Sequence, residues 1–156
     1  MKEYFPGIKR VEYAGDEKRT GLCFRHYQPD KIVAGRPMRD HLRFSMAYWH
    51  SICNAGRDMF GAETAVRSWT DTPGAMKLAE ERAYAAFEFL DKMGLDYFCF
   101  HDRDIAPEGE TLAETNKNLD HMVRLIKKLM ADTGKKLLWG TASLFYHPRY
   151  VHGAAT

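Results

Sequence analysis

A histidine and an aspartate three residues apart, His101 and Asp104, are the side chains in this sequence best suited to moving a proton. Histidine has the side-chain pKa closest to neutral, so it can accept or donate a proton near pH 7. A carboxylate bonded to one ring nitrogen fixes the tautomer and leaves the other nitrogen facing a ligand. Asp104 could serve His101 in this way, whereas Asp102 is expected to point away and to pair with Arg103 or with backbone amides. Taken alone, the spacing also fits a solvated turn or a structural ion pair.

The segments on either side of this pair predict where it lies in the fold. Residues 95–100 form a short, nearly continuous apolar run, which is typical of a strand covered on both faces. Beyond the pair, Thr111 and Glu114 form a capping-box pattern that predicts the start of a helix over 112–132. Residues just past the carboxyl end of a strand line the active face of an α/β barrel or sheet. The histidine and the aspartate are therefore predicted to lie on such a face.

The rest of the chain predicts the same alternation of strand and helix. A helix is predicted to begin at Pro73 and to run to Met93, where Gly94 ends it, because apolar residues recur there at three- and four-residue intervals. Residues 136–144 form a third apolar run, which predicts another buried strand. Residues 38–54 fit either a helix or a strand. The order of these segments predicts parallel strands joined by helical crossovers, and hence an α/β class.

Three aromatic residues near the ends of the apolar segments could line a ligand pocket. Aromatic rings bind the apolar faces of sugars and exclude water, although each of them could instead be simple core packing. They are Trp49, Trp139 and Phe145. Trp69, by contrast, looks exposed within a predicted loop over 55–72. Residues 1–40 are predicted to be an irregular leader that packs on a larger body.

The composition is that of an ordinary globular domain and argues against several classes of function. The 156 residues carry 23 basic and 21 acidic side chains, so the electrostatic footprint of a nucleic-acid-binding protein is missing. Charged residues near the amino terminus replace the apolar core of a signal peptide, and no long apolar run predicts a membrane span, so a cytoplasmic protein is expected. Cys23, Cys53 and Cys99 lack the spacing of a disulfide framework or a zinc site and are expected to be buried, inert thiols.

Motifs along nearly the whole chain resemble the xylose isomerases, specifically the longer-chain group with an N-terminal extension. The most specific are FCFHDRDIAPEG at 98–109 and ETNKNLD at 114–120. Shorter matches are FRHY at 24–27, LRF at 42–44, AYWH at 47–50, LWGTA at 138–142, LF at 144–145, HPRY at 147–150 and HGAAT at 152–156. The resemblance implies a TIM (β/α)8 barrel, with residues 43–49 as its first strand.

The same resemblance implies roles for particular residues. His101 would contact the ring oxygen of a cyclic sugar and assist ring opening, with Asp104 orienting its imidazole. The apolar wall beside the sugar would comprise Trp49, Trp139 and Phe145, with Thr141 near them, and Phe60 would reach into the site of a neighbouring subunit of a homotetramer. The implied reaction is the interconversion of D-xylose and D-xylulose, and more weakly of D-glucose and D-fructose. Two divalent cations, Mg²⁺ or alternatively Mn²⁺ or Co²⁺, would assist a hydride shift from C2 to C1.

The length of the chain is the main departure from that family. A complete barrel needs on the order of 250 residues, whereas about three strands are predicted here. The metal ligands and the catalytic lysine of the family belong to later strands, so no metal ligand is expected in this chain. Residues 1–156 are accordingly expected to be the N-terminal portion of one barrel domain, with a leader over 1–40 and the first β/α units over 41–156. Such a fragment is expected to be inactive, and the alternative function is a non-catalytic half-barrel that serves oligomerisation or regulation.

Overall fold

The computed structural model describes residues 2–16, 21–57, 59–144, 147 and 150. Its amino-terminal part is largely irregular and contains a short antiparallel hairpin, β1 and β2, followed by the single-turn helix α1. The remaining elements of the described residues are three strands, three α-helices and one π-helical turn. In chain order they are β1 (Ile32–Val33), β2 (Arg36–Pro37), α1 (Met38–His41), β3 (Ser45–Ala47), a π-helical turn (Trp49–Cys53), α2 (Ala75–Met93), β4 (Tyr97–His101), α3 (Asp102–Ile105), α4 (Leu112–Thr133) and β5 (Lys136–Thr141).

The main sheet is parallel, with the strand order β3-β4-β5. Helix α2 connects β3 to β4, and α4 connects β4 to β5. The predicted α/β class with parallel strands and helical crossovers is therefore confirmed. The ambiguous segment over 38–54 contains both kinds of structure, because a three-residue strand is followed by a helical turn. Among the described residues, no helix has the length and apolar composition needed to span a membrane.

The two long helices end where the sequence predicts, but one of them begins later than predicted. Gly94 and Gly134 adopt left-handed backbone conformations that terminate α2 and α4. The hydroxyl of Thr111 accepts a hydrogen bond from the amide of Glu114 at 3.1 Å, as its pattern predicts. Helix α2, however, begins at Ala75 rather than at Pro73, because Gly74 occupies the N-cap position.

The core lies between the sheet and the two long helices. The ring of Phe98 on β4 packs edge-on against Phe87 of α2, with the ring centroids 5.3 Å apart. Helix α4 contributes Met122 and Ile126, which are buried beside them. Small residues at Ala79, Ala83 and Ala86 let α2 approach its neighbours closely. The predicted apolar stripes of the two helices thus face the core.

Strand β5 does not have the burial that its apolar sequence predicts. All of its residues, including Leu137, Leu138 and Trp139, are exposed in the chain. The reason is that β5 is an edge strand of a three-stranded sheet, and the described residues provide no element to cover it. An exposed apolar edge strand presents unpaired backbone groups that favour association with another chain.

We therefore expect the 156-residue chain to self-associate through β5. Replacing Leu138 by lysine should raise the concentration of half-association by about tenfold, or about 1.4 kcal/mol, because a charge on an edge strand opposes pairing. Sedimentation velocity over a range of concentrations measures this shift. The matched control is Ala131→Lys, which adds the same charge to an exposed position of α4. Equal effects of the two substitutions would place the association elsewhere.

The leader packs against α2 and covers a tryptophan that the sequence analysis placed in solvent. Trp69 is only 2% exposed, so its predicted exposure is wrong. Its ring contacts the rings of Tyr4 and Phe5, with centroids 6.1 and 6.0 Å away. Tyr4 and Phe5 of the leader thus bury an aromatic ring contributed by the loop that precedes α2.

Two glutamates of α2 hold the leader in place. The Glu88 carboxylate accepts hydrogen bonds from the backbone amides of Tyr4 at 2.7 Å and Phe5 at 3.0 Å. The Glu81 carboxylate accepts from the Tyr4 hydroxyl at 2.9 Å and pairs with Lys2. Hydrogen bonding to Lys2 lowers the pKa of Glu81. Partial burial opposes the shift at Glu88, but its bonds to Lys92 and to the two amides outweigh burial and lower its pKa.

These lowered pKa values predict that acid releases the leader. A carboxylate with a depressed folded pKa contributes stability above its ordinary pKa of 4.5 and loses it as the pH falls through the folded value. Glu88→Gln should therefore destabilise the chain by about 1 kcal/mol at pH 7 and flatten the decline in stability below pH 4.5. Urea unfolding between pH 7 and pH 3 measures both effects. The control is Glu63→Gln, at an exposed site distant from the leader in sequence, which should have the same stability at each pH as the unsubstituted chain. If Glu88→Gln left the decline of stability in acid unchanged, Glu88 would not hold the leader in place.

Candidate active site

The predicted site residues meet at the carboxyl ends of the three parallel strands. His101 is the last residue of β4, and its strand partner in β5 is Thr141, also the last residue of its strand. Trp49 follows two residues after the end of β3. Because parallel strands end at the same edge of a sheet, side chains from three separate segments are brought to one place.

His101 and Asp104 form the hydrogen-bonded pair that their spacing suggested. The Nδ1 atom of His101 lies 3.0 Å from Oδ2 of Asp104, and the same oxygen accepts the backbone N–H of His101 at 2.7 Å. The single-turn helix α3 creates this geometry, because it folds the aspartate back over the end of β4. The imidazole also accepts the backbone N–H of Asp104 as part of a capping box. In the tautomer with the proton on Nδ1, that nitrogen donates to the carboxylate, and proton exchange with a ligand would use Nε2. Both side chains are partly exposed and hence accessible to a small ligand.

Cys53, the last residue of the π-helical turn after β3, supports the position of α3. The thiol of Cys53 donates a hydrogen bond to the backbone carbonyl of Asp104, with 3.4 Å between sulfur and oxygen. Burial raises the pKa of this thiol to about 12, so it remains protonated and able to donate at neutral pH. The expectation of three buried thiols holds for Cys99, whereas Cys23 and Cys53 are only partly buried. No local pattern links residues 51 positions apart, so sequence reasoning missed this contact.

Two indole rings flank the imidazole. The ring centroids are 4.8 Å apart for Trp49 and His101, 5.7 Å apart for His101 and Trp139, and 5.4 Å apart for the two tryptophans. Trp139 remains 40% exposed, so part of its ring is free to contact a ligand. Aromatic rings of this kind can bind the less polar face of a small hydroxylated ring. The imidazole beside them can transfer a proton to that ring.

An irregularity in β5 places Trp139 on the same face of the sheet as His101. Phe98 pairs with Leu137, but Cys99 pairs with Trp139, so Leu138 is an extra residue in the ladder. Without it, Trp139 would lie beside Phe100, on the face that packs against the helices. The bulge therefore turns the tryptophan from the core side to the ligand side. Sequence alone carries no pattern for this bulge in a run of apolar residues.

Gly140 keeps the bulged strand close to β4. A Cβ atom at this position would lie 3.1 Å from the Phe100 ring, which is tighter than ordinary packing. Phe100 in turn contacts Phe98, at a centroid distance of 6.0 Å. The glycine next to Trp139 is therefore explained by the close approach of an aromatic side chain from the neighbouring strand.

Asp102 points away from the histidine, as expected. One of its carboxylate oxygens, Oδ1, accepts the backbone N–H groups of Arg103 and Ser143, both at 2.8 Å. The other, Oδ2, lies 3.4 Å from the guanidinium of Arg103. Asp102 is thus a structural acceptor that joins the ends of two strands and takes no direct part in holding the imidazole.

The loop that carries Phe60 is held by its own hydrogen bonds. Phe60 is 93% exposed in a loop whose base is closed by hydrogen bonds from the amide of Thr64 to Ala55 and from the hydroxyl of Thr64 to Gly56. Gly56 has a φ of +67°, and a Cβ there would lie 2.8 Å from the Thr64 hydroxyl, so the loop requires glycine. Phe145 lies outside the described residues. The roles predicted for both remain predictions.

A metal site is not formed by the part of the chain that the structure describes. No group of three or more histidine, cysteine, aspartate or glutamate side chains lies close enough together there to hold a metal ion. Asp104 is engaged by His101, and Asp102 by backbone amides. The described residues therefore do not fit the divalent cations that the family resemblance implies.

Known proteins resemble the chain along its whole length. No family model matches the chain. It is 54% identical over all 156 residues to the xylose isomerase of Thermotoga maritima, and 53% identical over 154 residues to that of Caldicellulosiruptor bescii. Over its whole length the chain is similar to xylose isomerases. The family resemblance predicted from the motifs is thereby confirmed over all 156 residues, which include His101, Asp104, Trp49, Trp139 and Thr141.

The similarity covers only part of those relatives. The chain spans about a third of their length, 35% in each case. The relatives' name supports a xylose isomerase type of function for the lineage. The three parallel strands are consistent with a part of a β/α barrel, and the complete barrel is a proposal.

Proposed function

We propose that this chain supplies the sugar-ring-opening part of an aldose–ketose isomerase site that interconverts D-xylose and D-xylulose, and less efficiently D-glucose and D-fructose. The observation that carries the proposal is the His101–Asp104 pair, which is hydrogen-bonded at the carboxyl end of a parallel strand and flanked by two indole rings. The name of the relatives, xylose isomerase, supplies the substrate class.

Ring opening is a proton-transfer reaction that the pair can promote. The bond between C1 and the ring oxygen breaks, the C1 hydroxyl loses its proton to solvent as C1 becomes a carbonyl, and the ring oxygen takes up a proton. Protonated His101 would donate that proton from Nε2. The Asp104 carboxylate, bonded to Nδ1, stabilises the imidazolium before transfer and fixes the ring orientation. Trp49 and Trp139 would contact the apolar face of the pyranose and limit access of water.

The remaining chemistry belongs to residues that this chain does not provide. We propose that the complete enzyme is a TIM-barrel homotetramer in the cytoplasm, with residues 1–40 as a leader and 41–156 as the first β/α units. In it, two divalent cations, Mg²⁺ or alternatively Mn²⁺ or Co²⁺, would assist the hydride shift. Because the described residues form no metal site, we assign no step of the chain's own chemistry to a cation. The 156-residue chain alone is then inactive. In the assembled enzyme, Phe145 would join Trp49 and Trp139 in the apolar wall beside the sugar, and Phe60 would reach into the site of a neighbouring subunit.

A chimera tests this proposal. The matched stretch of the Thermotoga maritima relative is replaced by these 156 residues, which are 54% identical to it. The expected result is conversion of D-xylose to D-xylulose by the chimera in the presence of Mg²⁺, with no conversion by the 156-residue chain alone. A chimera that assembles and binds Mg²⁺ but does not turn over xylose would refute the isomerase proposal. That outcome would favour the alternative of a non-catalytic oligomerisation module.

A further inference from the structure

Asp102 makes a long-range connection that the predicted catalytic roles do not use. Its Oδ1 atom accepts the amide of Arg103 within its own helical turn and the amide of Ser143 from 41 residues further along the chain. Ser143 is only 6% exposed, so its N–H would lack a partner without this carboxylate. Losing the acceptor of a buried N–H costs about 1–3 kcal/mol, which makes the contact a strong local constraint.

The position of this contact matters because of what lies on either side of it. Asp102 directly follows His101, and Ser143 follows two residues after Thr141. The regular ladder between β4 and β5 ends at the pair His101–Thr141. Beyond that pair, the Asp102–Ser143 bond keeps the two strand ends together. It therefore helps to set the distance between the imidazole and the segment that carries Trp139 and Thr141.

The geometry points to Asp102 as a positioning residue that holds the β5 side of the pocket against His101. This inference rests on the proposed function, since it concerns the same pocket. A carboxylate suits the task because one oxygen can accept two N–H groups, and hydrogen bonds to a charged acceptor are stronger than neutral ones. The neighbouring guanidinium of Arg103, 3.4 Å from the second oxygen, keeps the carboxylate turned towards the amides.

Two substitutions separate the acceptor from the rest of the side chain. Asp102→Ala removes the acceptor, whereas Asp102→Asn keeps a carbonyl oxygen that can receive the same two N–H groups. The first measurement is hydrogen–deuterium exchange of the Ser143 amide in the 156-residue chain. Exchange should be at least about tenfold faster in Asp102→Ala, equivalent to about 1.4 kcal/mol, and within about threefold of the unsubstituted rate in Asp102→Asn. Unchanged exchange in Asp102→Ala would overturn the inference.

The second measurement is steady-state kinetics of the chimera with D-xylose. Displacement of the pocket wall weakens binding of the sugar equally in the ground state and in the transition state of ring opening. Asp102→Ala should therefore raise KM about tenfold with a smaller change in kcat. Asp102→Asn should restore KM. A general loss of folded enzyme would lower the apparent kcat and leave KM unchanged, and this result would overturn the positioning role. If the unsubstituted chimera is inactive, the proposed function fails, while the exchange of the Ser143 amide still decides whether Asp102 holds the two strand ends together.

Discussion

Replacing His101 by alanine in the chimera should lower kcat/KM for D-xylose by about 10²- to 10⁴-fold, the range for loss of a general acid. The sugar is almost entirely cyclic in water, so isomerisation must wait for the ring to open. The alanine variant lacks the proton donor that we propose at Nε2 of His101, whose Nδ1 atom lies 3.0 Å from Asp104. Initial rates of D-xylulose formation at saturating Mg²⁺ measure the loss.

A substrate that cannot form a ring provides the matched control. D-glyceraldehyde has too few carbons for a pyranose or furanose, so its isomerisation needs no ring opening. His101→Ala should therefore impair turnover of xylose far more than turnover of glyceraldehyde, and the Mg²⁺ concentration for half-maximal activity should stay unchanged. If turnover of the two sugars fell to the same degree, or if the Mg²⁺ concentration for half-maximal activity rose, His101 would have a role other than ring opening.

Asp104 should have a smaller effect through the same imidazole. Asp104→Asn keeps the size of the side chain but removes its charge, and loss of such an orienting partner costs about 10- to 100-fold in comparable sites. The substitution also weakens the capping bond to the backbone N–H of His101. The same xylose assay measures this loss, and we expect it to disappear in the background of His101→Ala. Additive effects of the two substitutions would show that the residues act independently.

Much of the fold could be predicted because local chemistry sets the ends of its long elements. Gly94 and Gly134 adopt backbone conformations that other residues avoid, so they mark helix ends in any context. Thr111 caps α4 through its own hydroxyl. The His101–Asp104 contact was also predictable, because the two residues lie within one helical turn of each other. Contacts of this kind depend on few residues and short separations.

The features that sequence did not predict depend on distant parts of the chain. The bulge at Leu138 is a property of the β4–β5 pairing, and an apolar run gives no sign of where a ladder shifts register. The exposure of β5 depends on the number of strands beside it rather than on its own residues. The bonds from Cys53 to Asp104 and from Asp102 to Ser143 join segments 51 and 41 residues apart. The spacing of apolar residues indicates which side chains favour burial. Whether another strand or helix covers those side chains depends on the whole fold.

Trp69 is the clearest example of a residue whose burial depends on a distant segment of the chain. Replacing it should have a large effect on the free energy of unfolding. Its ring is buried by Tyr4 and Phe5 of the leader, and the guanidinium of Arg67 lies 5.6 Å from its ring centroid. Trp69→Ala should lower the free energy of unfolding by about 3–5 kcal/mol, because it removes a large apolar side chain and leaves a cavity that two rings cannot fill. Urea unfolding followed by circular dichroism, in the Leu138→Lys background to limit association, measures this change.

The same substitution at an exposed tryptophan is the matched control. Trp139 is 40% exposed on the edge strand, so Trp139→Ala should cost about 1 kcal/mol or less in stability. Trp69→Ala should also expose the leader, and proteolysis within residues 2–14 should accelerate in that variant alone, because the leader loses the ring that it covers. If the two tryptophan variants were equally stable, or if the leader stayed protected without Trp69, the leader would be held by its hydrogen bonds to Glu81 and Glu88 rather than by burial of this ring.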